Sequence, residues 1–177
     1  MREKKGRAIS DRFFREFDLA RISVVHSYLP IPRFYEVATS SVLGEIWSKY
    51  PHIKTAAPRI NVENGELESV IFGPDSEFIE NKWGIREPAG HSYIEPSMID
   101  LVIVPLLCCD MLGNRVGYGK GFYDRFLARC RHDCLKIGFC VFVPIDRNDD
   151  IHDGDVRLNV CVTPNETFYF DPISERR

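Results

Sequence analysis

The sequence predicts an α/β fold: a mostly parallel, open sheet covered by helices, a Rossmann-like three-layer architecture with one antiparallel hairpin added. Helical periodicities alternate with short apolar, strand-like runs along the chain, the pattern of βαβ units. One run, Ile99 to Val104, is nearly all apolar, as a central strand covered on both faces must be. Asn64-Gly65 lies between two further strand-like runs and marks the hairpin.

The elements follow in order. Ile9, Phe13, Phe14 and Phe17 share one face of a helix over Ile9 to Phe17. Ile22 to Tyr28 is rich in β-branched residues and reads as a buried strand. Leu29-Pro30-Ile31-Pro32 is an irregular exit, because each proline drives its predecessor out of the helical region. Thr39 is placed to cap a helix running to about Tyr50, with Val42, Leu43, Ile46 and Trp47 inward. Ile53 to Ala57 is a short strand. Arg59 to Glu63 and Leu67 to Phe72 are the arms of the hairpin, turning through Asn64-Gly65 in a type I′ turn. Gly73 to Tyr93 reads as a long loop, and such loops are more often functional than idle. A helix from about Phe122 to Arg131 follows the central strand and a glycine loop. Leu135 to Val143, Asn159 to Val162 and an edge strand, Thr167 to Phe170, complete the sheet.

At 177 residues the chain fits one domain, 1–177, and buries a core without staples. A net charge of −3 gives no field that points to nucleic acid. The most apolar run, Met98 to Leu112, contains Asp100, Pro105 and Asp110 and is too short to span a membrane. The six cysteines include no C-x-x-C pair, and Cys130, His132 and Cys134 lack the spacing and the fourth ligand of a zinc site. Together with the lack of a signal-peptide core, this reads as a reducing, cytoplasmic setting, and a chain of this size is expected to be a monomer.

The chemistry concentrates in Gly113 to Leu127. Gly117, Gly119 and Gly121 alternate with larger residues just before a helix. Glycine admits positive φ and close approach, so successive amides can point at phosphate oxygens beside the helix N-terminus. Arg115 and Lys120 add charge there, arginine as a fork and lysine as a mobile point. Asp124 is placed to hold a magnesium ion bridging phosphates. The spacing is neither Walker A nor G-x-G-x-x-G, so the residues by themselves indicate an anion loop with its ligand unnamed.

The segment Gly-Asn-Arg-Val-Gly-Tyr-Gly-Lys-Gly-Phe-Tyr-Asp resembles the signature of the 5-formyltetrahydrofolate cyclo-ligase (5,10-methenyltetrahydrofolate synthetase) family. Tyr28-Leu29-Pro30 with Glu36-Val37-Ala38-Thr39, Trp83 to Pro88, Ile99 to Pro105, His152-Asp153 and Val162-Thr163 are similar to further family segments in the same order. The resemblance covers about Ile22 to Thr163.

It implies an enzyme that closes 5-formyltetrahydrofolate to 5,10-methenyltetrahydrofolate with ATP and Mg2+, releasing ADP and phosphate. By position, Arg115 and Lys120 would be the catalytic cations. Arg115, Gly117, Tyr118, Gly119, Lys120, Gly121, Phe122 and Tyr123 would bind ATP. Leu29, Glu36, Trp83, Phe122 and Tyr123 would meet the reduced folate, with Glu36 reading the N–H edge of the pterin. Asp124 and Asp153 would be the magnesium carboxylates. Phe122 stands where the family has tyrosine. The family's Lys-x-x-x-Arg pair on a leading helix has no counterpart in register within Met1 to Arg21, so that helix reads as shortened. The alternative is a catalytically impaired nucleotide- or folate-binding paralogue.

Overall fold

The structure, a computed structural model, describes residues 2–31, 34 and 36–170. Helix α1 (Arg2–Glu16) leads to strand β1 (Val24–Ser27) and helix α2 (Ser40–Lys49). Strands β2 (Lys54–Ile60) and β3 (Leu67–Phe72) precede the short β4 (Phe78–Glu80), β5 (Arg86–Pro88) and β6 (Tyr93–Ile94). Strand β7 (Leu101–Val104) is followed by β8 (Cys108–Cys109), β9 (Arg115–Val116) and helix α3 (Phe122–Arg129). Strands β10 (Leu135–Phe139), β11 (Val160–Val162) and β12 (Thr167–Tyr169) close the described chain.

Eight strands form one sheet in the order β12-β11-β10-β7-β1-β2-β3-β6. The five central strands from β11 to β2 are parallel, and β12, β3 and β6 add antiparallel edges. Period-2 alternation divides the central residues between two cores. Val25, Leu101, Ile103, Ile137 and Phe139 pack with Ile9 and Phe13 of α1 and with Val42 and Ile46 of α2. Val24, Val102, Val104 and Cys161 pack on the other face with Phe126 and Leu127 of α3. The result is the three-layer α/β arrangement the apolar runs predict. Among the described residues no helix is long and apolar enough to cross a membrane.

Four local readings are corrected. Helix α1 begins well before Ile9, because the polar turn ahead of it has no apolar stripe to announce it. The hairpin pairs Ile60 with Leu67, so its loop has six residues rather than a two-residue type I′ turn. Asn61 causes this: its side-chain oxygen accepts the Glu63 amide at 2.9 Å, and its carbonyl accepts the Gly65 amide at 2.9 Å. Gly65 takes the positive φ of 69° that the wider turn requires. Thr39 sits at the α2 N-cap without capping it, since its hydroxyl donates instead to the Tyr28 carbonyl at 3.0 Å. The segment between Gly73 and Tyr93 is not one loop. It carries the β4–β5 ribbon, held by Asn81, whose side-chain oxygen takes the amides of Trp83 and Ile85 and whose Nδ2 donates to Glu87.

Candidate active site

From β1 the chain turns to β2 through α2 on one face. From β7 it turns the opposite way to β10 through α3 on the other face. The sheet therefore has its topological switch point between β1 and β7, where open α/β sheets hold ligands beyond the strands' carboxyl ends. A cavity of about 790 Å³ lies there, with Tyr28 and Leu29 after β1, Pro58 and Ile60 of β2, and Pro105 after β7 in its wall.

The glycine loop forms a second wall. The β8–β9 ribbon sets Arg115, whose side chain is only 7% exposed, against Asp124 in the first turn of α3. Arg115 Nη2 donates to Asp124 Oδ1 at 2.6 Å, and the same oxygen accepts the Val156 amide at 3.1 Å. Arg115 Nε is buried with no partner among the described residues. Gly119 and Gly121 take φ of 75° and 63°, which bends the backbone tightly on either side of Lys120. Gly121 is the N-cap of α3 and no side chain caps that helix, so its first-turn amides remain available to an anion. Lys120 is exposed and has no ion-pair partner among the described residues; its Nζ lies 5.5 Å from the centre of the Trp83 ring. Gly117, Phe122 and Tyr123 complete this wall.

Opposite the loop, Glu36 is half-buried and has both oxygens occupied. Oε2 accepts the Ile31 amide at 2.6 Å and Oε1 accepts the Tyr118 hydroxyl at 2.8 Å. Burial raises its pKa, and the two hydrogen bonds offset that in part. The Tyr118 ring stacks on Phe34 with centres 4.3 Å apart. The Tyr123 hydroxyl is buried with no partner among the described residues, and burial raises its pKa strongly. The Trp83 ring, at the tip of the β4–β5 ribbon, closes the far side.

The acidic turn supplies the last wall through Asn148, Asp150, His152 and Asp155. Asp153 is exposed and outside that wall, while Asp155 within it accepts the His152 amide at 2.9 Å. The turn is anchored by Asp110, which is fully buried and accepts amides from Leu112, Asn114 and Asn148 and the Asn114 side chain. Burial pushes the Asp110 pKa up, but these hydrogen bonds outweigh it and hold the carboxyl below its ordinary value. Every other site residue read from the sequence lines the cavity. Phe34, Asp110 and Glu87 were missed. Glu87 is buried and accepts the Ile60 amide and the Asn81 side chain, which fixes the ribbon that carries Trp83.

The donor set suits a magnesium ion held largely by phosphate. No group of three His, Cys, Asp or Glu forms a ready cage among the described residues. Magnesium is commonly held by one or two carboxylates plus phosphate oxygens and water. Asp124 offers such a carboxylate, since both of its hydrogen bonds engage Oδ1.

The model of the 5-formyltetrahydrofolate cyclo-ligase family matches residues 1–159. The chain belongs to that family. It is accordingly an enzyme of the cyclo-ligase type. It is 27% identical over 138 residues to the 5-formyltetrahydrofolate cyclo-ligase of Escherichia coli (strain K12), covering 75% of this chain and 74% of that protein. Its fold is that of the Aquifex aeolicus 5,10-methenyltetrahydrofolate synthetase structure, with TM-score 0.77, 23% identity, and 99% and 85% of the two chains covered. The Mycoplasma pneumoniae 5,10-methenyltetrahydrofolate synthetase structure has the same fold, with TM-score 0.67, 19% identity, and coverage of 92% and 87%.

Proposed function

We propose that this chain converts 5-formyltetrahydrofolate and MgATP to 5,10-methenyltetrahydrofolate, ADP and phosphate. The observation that carries the reading is one continuous cavity with two chemically different ends. One end has a helix N-terminus with no side-chain cap beside Lys120, which has no ion-pair partner among the described residues, and is suited to phosphates. The other has the Glu36 carboxylate among Tyr28, Leu29 and Phe34, suited to a flat ring with N–H donors.

The formyl oxygen is a poor leaving group, so the reaction needs it phosphorylated. That oxygen attacks the γ-phosphorus of ATP and ADP departs. N10 of the folate then adds to the formyl carbon and loses its proton, and phosphate leaves with the C–O bond electrons. Such a transfer depends on alignment and on stabilising charge in flight. Lys120 carries that charge stabilisation, and the loop amides orient the terminal phosphate. Arg115 holds Asp124 and the loop in register and turns positive charge to the phosphates. Magnesium, held by Asp124 and the phosphates, would neutralise charge on the nucleotide. Glu36 orients the ring, with Trp83 and Phe122 flanking it. Asp153 is the second magnesium carboxylate on the family's pattern, and Asp155 is the alternative that the cavity wall suggests. The enzyme acts in a reducing cytoplasm, a reading supported by six free cysteines.

The test mixes the chain with 5-formyltetrahydrofolate and MgATP and follows methenyl-folate absorbance together with ADP. Stoichiometric growth of both is expected. Thermal stabilisation by the ligands without either product would overturn the reading in favour of a binding module.

A further inference from the structure

Glu36 is the acceptor meant for a ligand's ring edge, yet it carries two internal donors. The Ile31 amide on Oε2 is backbone, in the exit from β1. The Tyr118 hydroxyl on Oε1 is different. It comes from the glycine loop, 82 residues away in sequence, on a side chain between two glycines. Tyr118 stacks on Phe34 on one flank, and two residues on Lys120 lies over Trp83. Gly119 between them has open space where a side chain would stand and a φ of 75°, so the backbone has room to turn there. A carboxylate oxygen has two lone pairs, but a planar ring edge presenting adjacent N–H groups needs the in-plane approach to both oxygens.

Resting on the folate reading above, we infer that Tyr118 is a specificity-determining plug: its hydroxyl stands in for the substrate's ring-edge N–H on Glu36 Oε1. Substrate binding exchanges one donor for the other. The released Tyr118 moves the glycine loop at Gly119 and shifts Lys120 relative to Trp83. The exchange keeps a half-buried carboxylate paired while the site is empty, which avoids the cost of leaving it bare. It also selects ligands that bring a donor, because a ring without one leaves the Tyr118 bond intact. Occupation of the ring end is thereby signalled to the phosphate end through a single hydrogen bond.

The sign of the test is specific. Tyr118→Phe keeps the stack on Phe34 and removes the competing donor. Equilibrium binding of 5-formyltetrahydrofolate in the absence of nucleotide should tighten roughly tenfold in this variant, the weight of one hydrogen bond to a charged group. In a Glu36→Ala background the same change should have little effect, because the acceptor being competed for is gone. The folate-induced change in Trp83 emission, read as the part lost in Trp83→Phe, should shrink in Tyr118→Phe because no bond remains to be released. Binding that is unchanged or weaker in a Tyr118→Phe protein with wild-type circular dichroism overturns the plug. Absence of 5-formyltetrahydrofolate binding by the unaltered chain overturns both the plug and the folate reading. Wild-type turnover with no gain in Tyr118→Phe removes the plug alone.

Discussion

Arg115 Nη2 and Asp124 Oδ1 lie 2.6 Å apart, and this ion pair ties the β8–β9 ribbon to the first turn of α3 directly under the glycine loop. The loop between them is therefore held at both ends while its middle bends through Gly119. Breaking such a pair leaves a charge that the folded protein has already desolvated. Arg115→Ala and Asp124→Asn should each lower stability by about 3 kcal/mol, a melting shift of roughly 6 to 12 °C for a chain of this length. The double variant should cost distinctly less than the two added, as residues in contact are not independent. Calorimetry on the four proteins checks this, and strict additivity would count against the pair.

Lys120 is the counter-case. Its amine is exposed, and its one ring contact among the described residues is with Trp83. Lys120→Ala should change stability by less than about 0.5 kcal/mol. It should lower kcat for methenyl-folate formation by about a hundredfold or more, the scale for removing one preorganised charge-stabilising donor. Paired melting and initial-rate measurements separate the two effects. A loss of activity that tracks a loss of folded protein would contradict the role.

The sheet and its loop were legible because their signals are local. Ile99 to Val104 is apolar on both faces, and three glycines at period 2 before a helix have few other uses. What was illegible depends on pairing across the chain. The β4–β5 ribbon has three-residue strands and is held by Asn81 and Glu87, whose partnership no periodicity encodes. Asp110 looks like one more acid in an apolar run, yet it anchors Asn148 from 38 residues away. That anchor sets the register of the acidic turn. Composition alone therefore could not tell Asp153, which is exposed off the wall, from Asp155, which faces the cavity.

The β8–β9 ribbon depends on Gly113. Its φ is 82°, and an added methyl would lie 2.8 Å from the Leu158 carbonyl oxygen and 2.9 Å from the Phe170 ring. The carbonyl is backbone, itself fixed because the Leu158 amide donates to Gly113 at 2.9 Å, so it has no cheap way to yield. Left-handed strain and overpacking together put Gly113→Ala at about 3 kcal/mol of destabilisation. Gly154→Ala, with open space and ordinary φ, should stay within about 0.5 kcal/mol. Urea unfolding of the two variants gives the contrast.

His26 sets an acid limit on the fold. It lies fully buried in β1 under α3, with Nδ1 bonded to Ser69 Oγ at 2.9 Å, Nε2 unpartnered among the described residues, and the Phe126 ring 4.6 Å away. Burial holds its pKa down to about 3, from 6.5. The sign follows from proton counting. Between pH 6.5 and 3 the unfolded chain binds the proton and the folded chain does not, so stability falls as pH falls through that window. The slope is about 1.4 kcal/mol per pH unit once the unfolded imidazole is charged, or about 2 kcal/mol between pH 7 and pH 5. Asp100 and Asp110 are held below their ordinary values, so their contributions are lost only at lower pH. Glu36, raised by burial, acts in the opposite sense just above its ordinary range. The difference between wild type and His26→Gln isolates the histidine. The variant should start less stable at pH 7.5 and lose less on going to pH 5, with the urea unfolding free energies converging by about 2 kcal/mol. Parallel curves for the two proteins would mean that His26 takes up its proton at the same pH folded and unfolded, which its unpartnered nitrogen and aromatic surroundings argue against.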